Sequence, residues 1–197
     1  MNSGIVGILL AAGFGRRFGT QKLLEPLASG TSVVATACRN LRAGTDRVVA
    51  VVRPDDPLLI DALSQEGAEV MAFEDAHLGM GASLAFGVRA SPEAQGWLIA
   101  LGDMPSIQES TIQTLAEALR SGHSMVTPFH YGQRGHPVGF GSVHYERLIE
   151  LHGDQGARSI VEHFGADGIE MPFEDAGILL DIDTPEDLIQ CLDTMSR

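Results

Sequence analysis

The chain has 197 residues, of which 44% are hydrophobic, and this length and composition suit one domain, residues 1–197, with a substantial core. Its formal net charge of −13 argues against nucleic acid as a partner, because binding to a duplex requires a basic face. No apolar run approaches the roughly 20 residues that span a bilayer. Cys38 and Cys191 form neither a disulfide framework nor a metal-ligand pattern. With no signal-peptide pattern at the start, we expect a cytoplasmic protein without a membrane partner.

Helical and strand patterns alternate along the whole chain. Several strands are continuous apolar runs, such as Val48–Val52 and Trp97–Leu101, which is typical of strands covered on both faces. The alternation predicts an α/β fold, a single Rossmann-like domain with a mainly parallel central sheet covered by helices. Strands are predicted near residues 4–11, 47–53, 69–73, 97–101, 124–128, 137–141 and 178–182. Helices are predicted near residues 31–43, 56–66, 81–90, 108–121, 144–151, 156–164 and 185–195, and residues 128–136 as an irregular loop or hairpin.

A glycine-rich segment, Leu10 to Lys22, follows the first predicted strand. Lys22 is the only lysine in a chain with twelve arginines, and Arg17 lies close to it. A turn of this kind presents backbone N–H groups and cations to phosphate oxygens. We therefore expect Arg17, Lys22 and the amides around Ala12 to Gly15 to bind phosphate groups. The alternative is an ordinary strand-to-helix turn with solvated charges.

The spacing of this segment excludes two familiar phosphate-binding motifs. A dinucleotide fingerprint would need a third glycine where the chain has Phe18. A P-loop would need a lysine directly after its last glycine, but Lys22 lies three residues after Gly19 and precedes Leu23.

Carboxylates follow two further predicted strands. Asp103 lies just past a buried strand, and Asp181 and Asp183 end the last predicted strand, where alternation places both on one side. Mg²⁺ favours one or two protein carboxylates together with phosphate oxygens and water. We predict a magnesium site made of Asp103 and one of this pair, with Asp183 favoured because it lies farther out. Taken alone, Asp103 could instead be a turn aspartate, and residues 184–187 also form a helix-capping sequence.

In an open parallel sheet, ligands bind beyond the carboxyl ends of the strands. The glycine-rich segment, Asp103 and the Asp181/Asp183 pair should therefore converge on one edge. The specific expectation is that the Lys22 amine and the Asp103 carboxylate share one cleft.

Six segments, in this order and over nearly the whole chain, resemble the molybdenum-cofactor nucleotidyltransferase family, most closely its cytidylyltransferase branch. The segments are Leu10–Leu24, His77–Leu84, Gly102–Pro105, Gly135–Val138, Gly153–Arg158 and Asp181–Asp187. The resemblance implies a fold of the nucleotide-diphospho-sugar transferase type. It also implies transfer of CMP from CTP to the terminal phosphate of molybdopterin-bound molybdenum, with release of pyrophosphate. The cation would be Mg²⁺ or Mn²⁺, and Ala11-Ala12-Gly13 implies CTP rather than GTP.

The resemblance also implies roles for individual residues. The catalytic residues would be Arg17, Lys22 and Asp103. Metal ligands would come from Asp103, Asp181 and Asp183, and acceptor contacts from His136, Pro137 and Arg158. Nucleotide contacts would come from Leu10, Ala11, Ala12, Gly13, Gly15, Arg17, Lys22, Gly81, Ser83 and Asp103.

The implied product would pass to a molybdenum hydroxylase or to its chaperone. Two alternatives stay open: a relative that acts on a sugar phosphate or another alcohol phosphate, and a non-catalytic carrier that holds a pterin or a nucleotide.

Overall fold

The computed structural model describes residues 3–13, 21–164 and 168–195. In these residues one sheet has the strand order β3-β2-β1-β4-β7-β5-β6, and β8 also pairs with β5. β1 is parallel to β2 and β4, and β2 is parallel to β3, whereas β7 runs antiparallel to β4 and β5. The strands are β1 (Ser3–Leu10), β2 (Arg47–Val52), β3 (Glu69–Ala72), β4 (Ala94–Leu101), β5 (Met125–His130), β6 (Gln133–Arg134), β7 (Val138–Gly141) and β8 (Ile169–Pro172).

Helices separate most of the strands. They are α1 (Val33–Gly44), α2 (Pro57–Gln65), α3 (Met80–Arg89), α4 (Glu109–Arg120), α5 (Tyr145–Ile149), α6 (Arg158–Phe164) and α7 (Pro185–Met195). In the part of the chain that the structure describes, no helix combines the length and apolar composition needed to cross a membrane.

The central strands are buried on both faces because helices cover each side of the sheet. Along β1, Ile5 and Leu9 pack into one hydrophobic cluster with α1, α2 and α4. The intervening Val6 and Ile8 pack into a second cluster with α3, α5 and α6. The alternation follows from the period of two along a strand, and it explains why these strands are continuous apolar runs.

The structure confirms the predicted α/β fold and most predicted elements to within a few residues at their ends. Residues 128–136 form the β5–β6 hairpin and its exit. The predicted strand at residues 178–182 is wrong. Residues Ala176–Leu179 form a 3₁₀ turn and the next residues run without strand pairing, while β8, at Ile169–Pro172, pairs with β5 instead.

One edge of the sheet gathers residues that follow its parallel strands, including two that the sequence analysis singles out, Gly13 and Asp103. Gly13 follows β1, Arg53 follows β2 and Asp103 follows β4, so all three lie beyond the carboxyl ends of parallel strands. Because β7 is antiparallel and pairs Val138 with Ile99, His136 enters this edge from just before its strand.

Candidate active site

Lys22 joins two carboxylates that come from distant parts of the chain. Its Nζ lies 2.9 Å from Asp103 Oδ2 and 2.9 Å from Asp183 Oδ1. The lysine side chain is 11% exposed, against 22% for Asp103 and 41% for Asp183. The expectation that Lys22 and Asp103 share a cleft is confirmed.

Backbone contacts hold the two carboxylates beside the lysine. The Ile182 N–H donates to the Asp103 carbonyl over 3.0 Å, and the Ile182 side chain is 1% exposed. Asp187 Oδ2 accepts from the N–H groups of Asp183 and Thr184, and the Asp187 N–H in turn donates to the Thr184 hydroxyl. This capping box confirms the predicted start of α7, and the same box fixes the backbone of Asp183.

Asp181 occupies a different position from Asp183. Residues 178–182 form no strand, but Ile182 is still buried. Asp181 before it is exposed, and Asp183 after it is half-buried. Asp183 shares an ammonium group with Asp103, whereas the charge of Asp181 acts on His136. The geometry therefore favours Asp183 over Asp181 as the partner of Asp103.

The electrostatics of this cluster keep the lysine charged. Burial by itself would lower the pKa of Lys22, but hydrogen bonds to Asp183 and Asp103, and their negative charges, outweigh burial and raise it. The ammonium group thus stays protonated and paired with both carboxylates.

The donor set fits a hard divalent cation. Asp103 Oδ1 is buried and has no hydrogen-bond partner among the described residues. Asp183 lies within two hydrogen-bond lengths of Asp103, since both contact the same nitrogen. Within residues 3–13, 21–164 and 168–195, no three His, Cys, Asp or Glu side chains cluster as metal ligands. Mg²⁺ needs only one or two protein carboxylates when phosphate oxygens and water complete its shell.

A cavity of about 440 Å³ opens beside this cluster. Most of the predicted nucleotide contacts within the described residues line it, namely Leu10, Ala11, Ala12, Gly13, Lys22, Ser83 and Asp103. Gly81 does not line it. A Cβ at Gly81 would lie 2.9 Å from the carbonyl oxygen of His152, so this glycine allows α3 to approach a neighbouring protein segment. Gly15 and Arg17 lie outside the described residues.

A second cavity of about 350 Å³ adjoins the first, and the two share Leu10, Met80 and Leu101 as walls. Two of the predicted acceptor contacts, His136 and Arg158, line it, whereas Pro137 is buried and does not. Arg158 lies on the exposed face of α6, where its Nε donates to Glu162 over 2.7 Å.

His136 is held as a neutral imidazole. Burial lowers its pKa, and the positive charge of Arg134 acts in the same direction. A hydrogen bond to the backbone of Ile99 and the charges of Asp103 and Asp181 oppose this shift without cancelling it. The backbone of His136 is also fixed, because its N–H donates to the Ile178 carbonyl over 2.9 Å.

Sequence reasoning missed several cavity residues, including Gln21, Arg53, Asp56 and Asp154 in the first cavity and Arg134 in the second. The position of Arg53 gave a usable signal, since it directly follows a buried strand, as the Gly102-Asp103 pair follows β4. Asp154 lies within the family-like segment Gly153–Arg158, but nothing in that segment distinguished it as a cavity residue, and nothing in the local pattern indicated Arg134, because both positions depend on how separate segments pack.

Residues 7–168 match the model of the MobA-like NTP transferase domain. The chain belongs to this family. It is 32% identical over 195 residues to the purine catabolism protein PucB of Bacillus subtilis, covering 93% of each chain. It is 26% identical over 188 residues to the molybdenum cofactor cytidylyltransferase of Escherichia coli, covering 95% of each.

Solved structures of similar proteins have the same architecture. The Rv0371c homologue from Mycobacterium sp. strain JC1 superposes with a TM-score of 0.84 at 29% identity, over 100% of this chain and 99% of that one. The manganese complex of Rv0371c from Mycobacterium tuberculosis superposes with a TM-score of 0.77 at 26% identity, over 96% of this chain and 98% of that one. The chain is thus a nucleotidyltransferase of the MobA-like family, and one structure similar to it was solved with manganese.

Proposed function

We propose that this nucleotidyltransferase transfers CMP from CTP to the terminal phosphate of molybdopterin in the molybdenum cofactor. The reaction releases pyrophosphate and gives the cytosine dinucleotide cofactor. The observation that carries the proposal is the contact of Lys22 with both Asp103 and Asp183, at the mouth of a cavity that adjoins a second one. The similarity to the E. coli molybdenum cofactor cytidylyltransferase supports this choice of substrates.

The two adjoining cavities suit direct transfer between two bound substrates. A phosphate oxygen of the acceptor attacks the α-phosphorus of CTP, the bond from that phosphorus to the bridging oxygen breaks, and pyrophosphate leaves with the electron pair. Such a reaction needs alignment and charge neutralisation more than covalent help. The shared walls at Leu10, Met80 and Leu101 would bring the acceptor phosphate against the α-phosphate.

Asp103 and Asp183 would hold the divalent cation, which supplies charge neutralisation to the triphosphate when it is bound. Lys22, half-buried and positively charged, would hold the triphosphate and stabilise the charge that develops on the leaving pyrophosphate. Arg17 is proposed to act beside it. Asp181, exposed and outside the lysine contact, would contribute less to the metal site.

The remaining predicted residues divide between the substrates. Ala11, Ala12 and Gly13 would contact the nucleotide at one side of the first cavity, and Ser83 at another. Ala12 is 7% exposed and packs against Val51 and Ala76, so the cavity wall on that side is tightly packed and apolar. His136 and Arg158 would contact the acceptor in the second cavity. We further propose a cytoplasmic enzyme that passes its product to a molybdenum hydroxylase or its chaperone.

The decisive experiment is a matrix of nucleotides and acceptors. Purified protein with Mg²⁺ is incubated with each α-labelled nucleoside triphosphate and with molybdenum cofactor, glucosamine 1-phosphate or no acceptor. We expect pyrophosphate and a labelled dinucleotide only from CTP with molybdenum cofactor. An Asp103→Asn variant, which removes one carboxylate charge, serves as the inactive control.

The other outcomes overturn the proposal in different ways. A labelled product with the sugar phosphate and none with the pterin would identify the sugar-phosphate alternative. Saturable CTP binding without a covalent product from any acceptor would identify a carrier.

A further inference from the structure

The strand order fixes which end of the first cavity receives the nucleobase, given the proposed transfer reaction. Asp103 follows β4 on one side of β1, and the acceptor cavity lies beyond it, beside β7. The reacting α-phosphate must lie where the two cavities meet, at Leu10 and Leu101. The nucleoside therefore extends toward the other side of β1, where β2 ends.

A polar cluster stands at that end of the cavity. Arg53, Asp56 and Gln21 all line it. Asp56 is 4% exposed and accepts a hydrogen bond from the Gln21 side-chain amide. The Nη2 of Arg53 lies 3.6 Å from Asp56, and its Nε lies 3.5 Å from Asp55. Asp56 also caps α2 by accepting from the Leu59 N–H over 3.3 Å, which fixes the carboxylate to a rigid element.

Asp56 orients both neighbouring side chains. A carboxylate only accepts hydrogen bonds, so it selects the NH₂ group of Gln21 and leaves the amide oxygen as the acceptor on the other branch. The same carboxylate holds one branch of the Arg53 guanidinium, whose planar group carries several N–H donors. The cluster thus pairs one oriented acceptor with a set of oriented donors.

This combination matches the hydrogen-bonding edge of cytosine. That edge offers an amino donor at N4 and acceptors at N3 and O2. Uracil has the oxygen O4 in place of the amino group, and N3–H where cytosine has an acceptor. Its O4 would therefore face the Gln21 amide oxygen, and two acceptors cannot form a hydrogen bond. Guanine has N1–H and an amino group beside its single O6 acceptor, and it is larger.

We propose that Gln21 and Arg53, both oriented by Asp56, read the base of the nucleotide and favour cytosine over uracil and guanine. The competing role for Arg53 is a contact to the triphosphate. Asp55 and Asp56 oppose that role, because they place two negative charges within 3.6 Å of the guanidinium.

The test measures equilibrium binding of CTP, UTP and GTP in the presence of Mg²⁺ without an acceptor, by titration calorimetry. Arg53→Met is expected to weaken the binding of CTP about 10- to 100-fold and to change the affinities for UTP and GTP by less than about threefold. Gln21→Met, at an exposed side chain, should reduce the preference for CTP over UTP by about tenfold. Arg53→Lys keeps the charge but not the planar set of donors, so CTP binding should stay close to that of Arg53→Met.

The matched control is Arg47→Met, which removes an arginine from the other end of the same strand, where it pairs with Glu69 and Glu93. It should leave all three affinities unchanged. Equal weakening of the three nucleotides by Arg53→Met, or full recovery in Arg53→Lys, would assign the residue to the phosphates and overturn the inference. Unchanged CTP/UTP preference in both Arg53→Met and Gln21→Met would overturn it as well. Since no acceptor is present, a failed transfer assay would refute the proposed reaction without deciding base selection.

Discussion

Replacing Lys22 with alanine tests stability and catalysis separately, because the same ammonium group pairs with two carboxylates and lines the nucleotide cavity. Both ion pairs are partly exposed, so their combined loss should cost about 1–2 kcal/mol of the free energy of unfolding. For a chain of this size that corresponds to a fall of roughly 2–8 °C in the melting temperature. Loss of a contact to the developing pyrophosphate charge should lower turnover by about 10²–10³-fold.

The assay compares pyrophosphate release at 25 °C with thermal melting of the same Lys22→Ala preparation. Mg²⁺ should recover part of the lost stability, because it can neutralise the carboxylates of Asp103 and Asp183. The control is Arg39→Ala, which removes a two-point ion pair with Glu66, neither of which lines the cavity, and should lower stability without lowering turnover. Turnover of Lys22→Ala within about threefold of the wild type would remove the lysine from the mechanism. A loss of activity that is no larger than the loss of folded protein at the assay temperature would also remove the lysine from the mechanism.

Three further predictions concern the metal, the backbone and pH. Asp183→Asn should weaken Mn²⁺ binding, measured by electron paramagnetic resonance, by about tenfold or more, and Asp181→Asn by much less; equal effects would contradict the assignment. Gly135→Ala should cost about 1–3 kcal/mol in a denaturant titration, because a methyl group there would overlap the Ile178 carbonyl, and an unchanged midpoint would be inconsistent with this packing. Because the pKa of His136 is lowered in the folded protein, the unfolded chain takes up a proton on this histidine at a higher pH than the folded protein does. The free energy of unfolding should therefore fall as pH drops below about 6.5 toward the folded-state pKa. His136→Asn should flatten that fall below about pH 6.5 in thermal melts.

Local sequence patterns predicted the elements whose burial or capping shows within a few consecutive residues. The apolar runs of β1, β2 and β4 were recognisable because most residues of a strand covered on both faces are apolar. The α7 start is readable because Thr184 and Asp187 satisfy each other's backbone groups. The strand predicted at residues 178–182 was wrong because that prediction also relied on the local apolar pattern alone. An apolar run shows that Ile178 and Ile182 are buried, but burial does not distinguish a strand from a 3₁₀ turn followed by extended chain.

The sequence by itself determined that a cationic glycine-rich turn and two sets of carboxylates exist, and it placed the turn and Asp103 beyond the carboxyl ends of two buried strands. Only the tertiary structure decided that Lys22 contacts both Asp103 and Asp183, residues 81 and 161 positions away. It also decided that Gly81 packs against the protein and that Arg53, Asp56 and Gln21 line one end of the cavity. The physical reason is that residue type and local spacing set which face of an element is buried, whereas contacts between side chains depend on how separate elements pack.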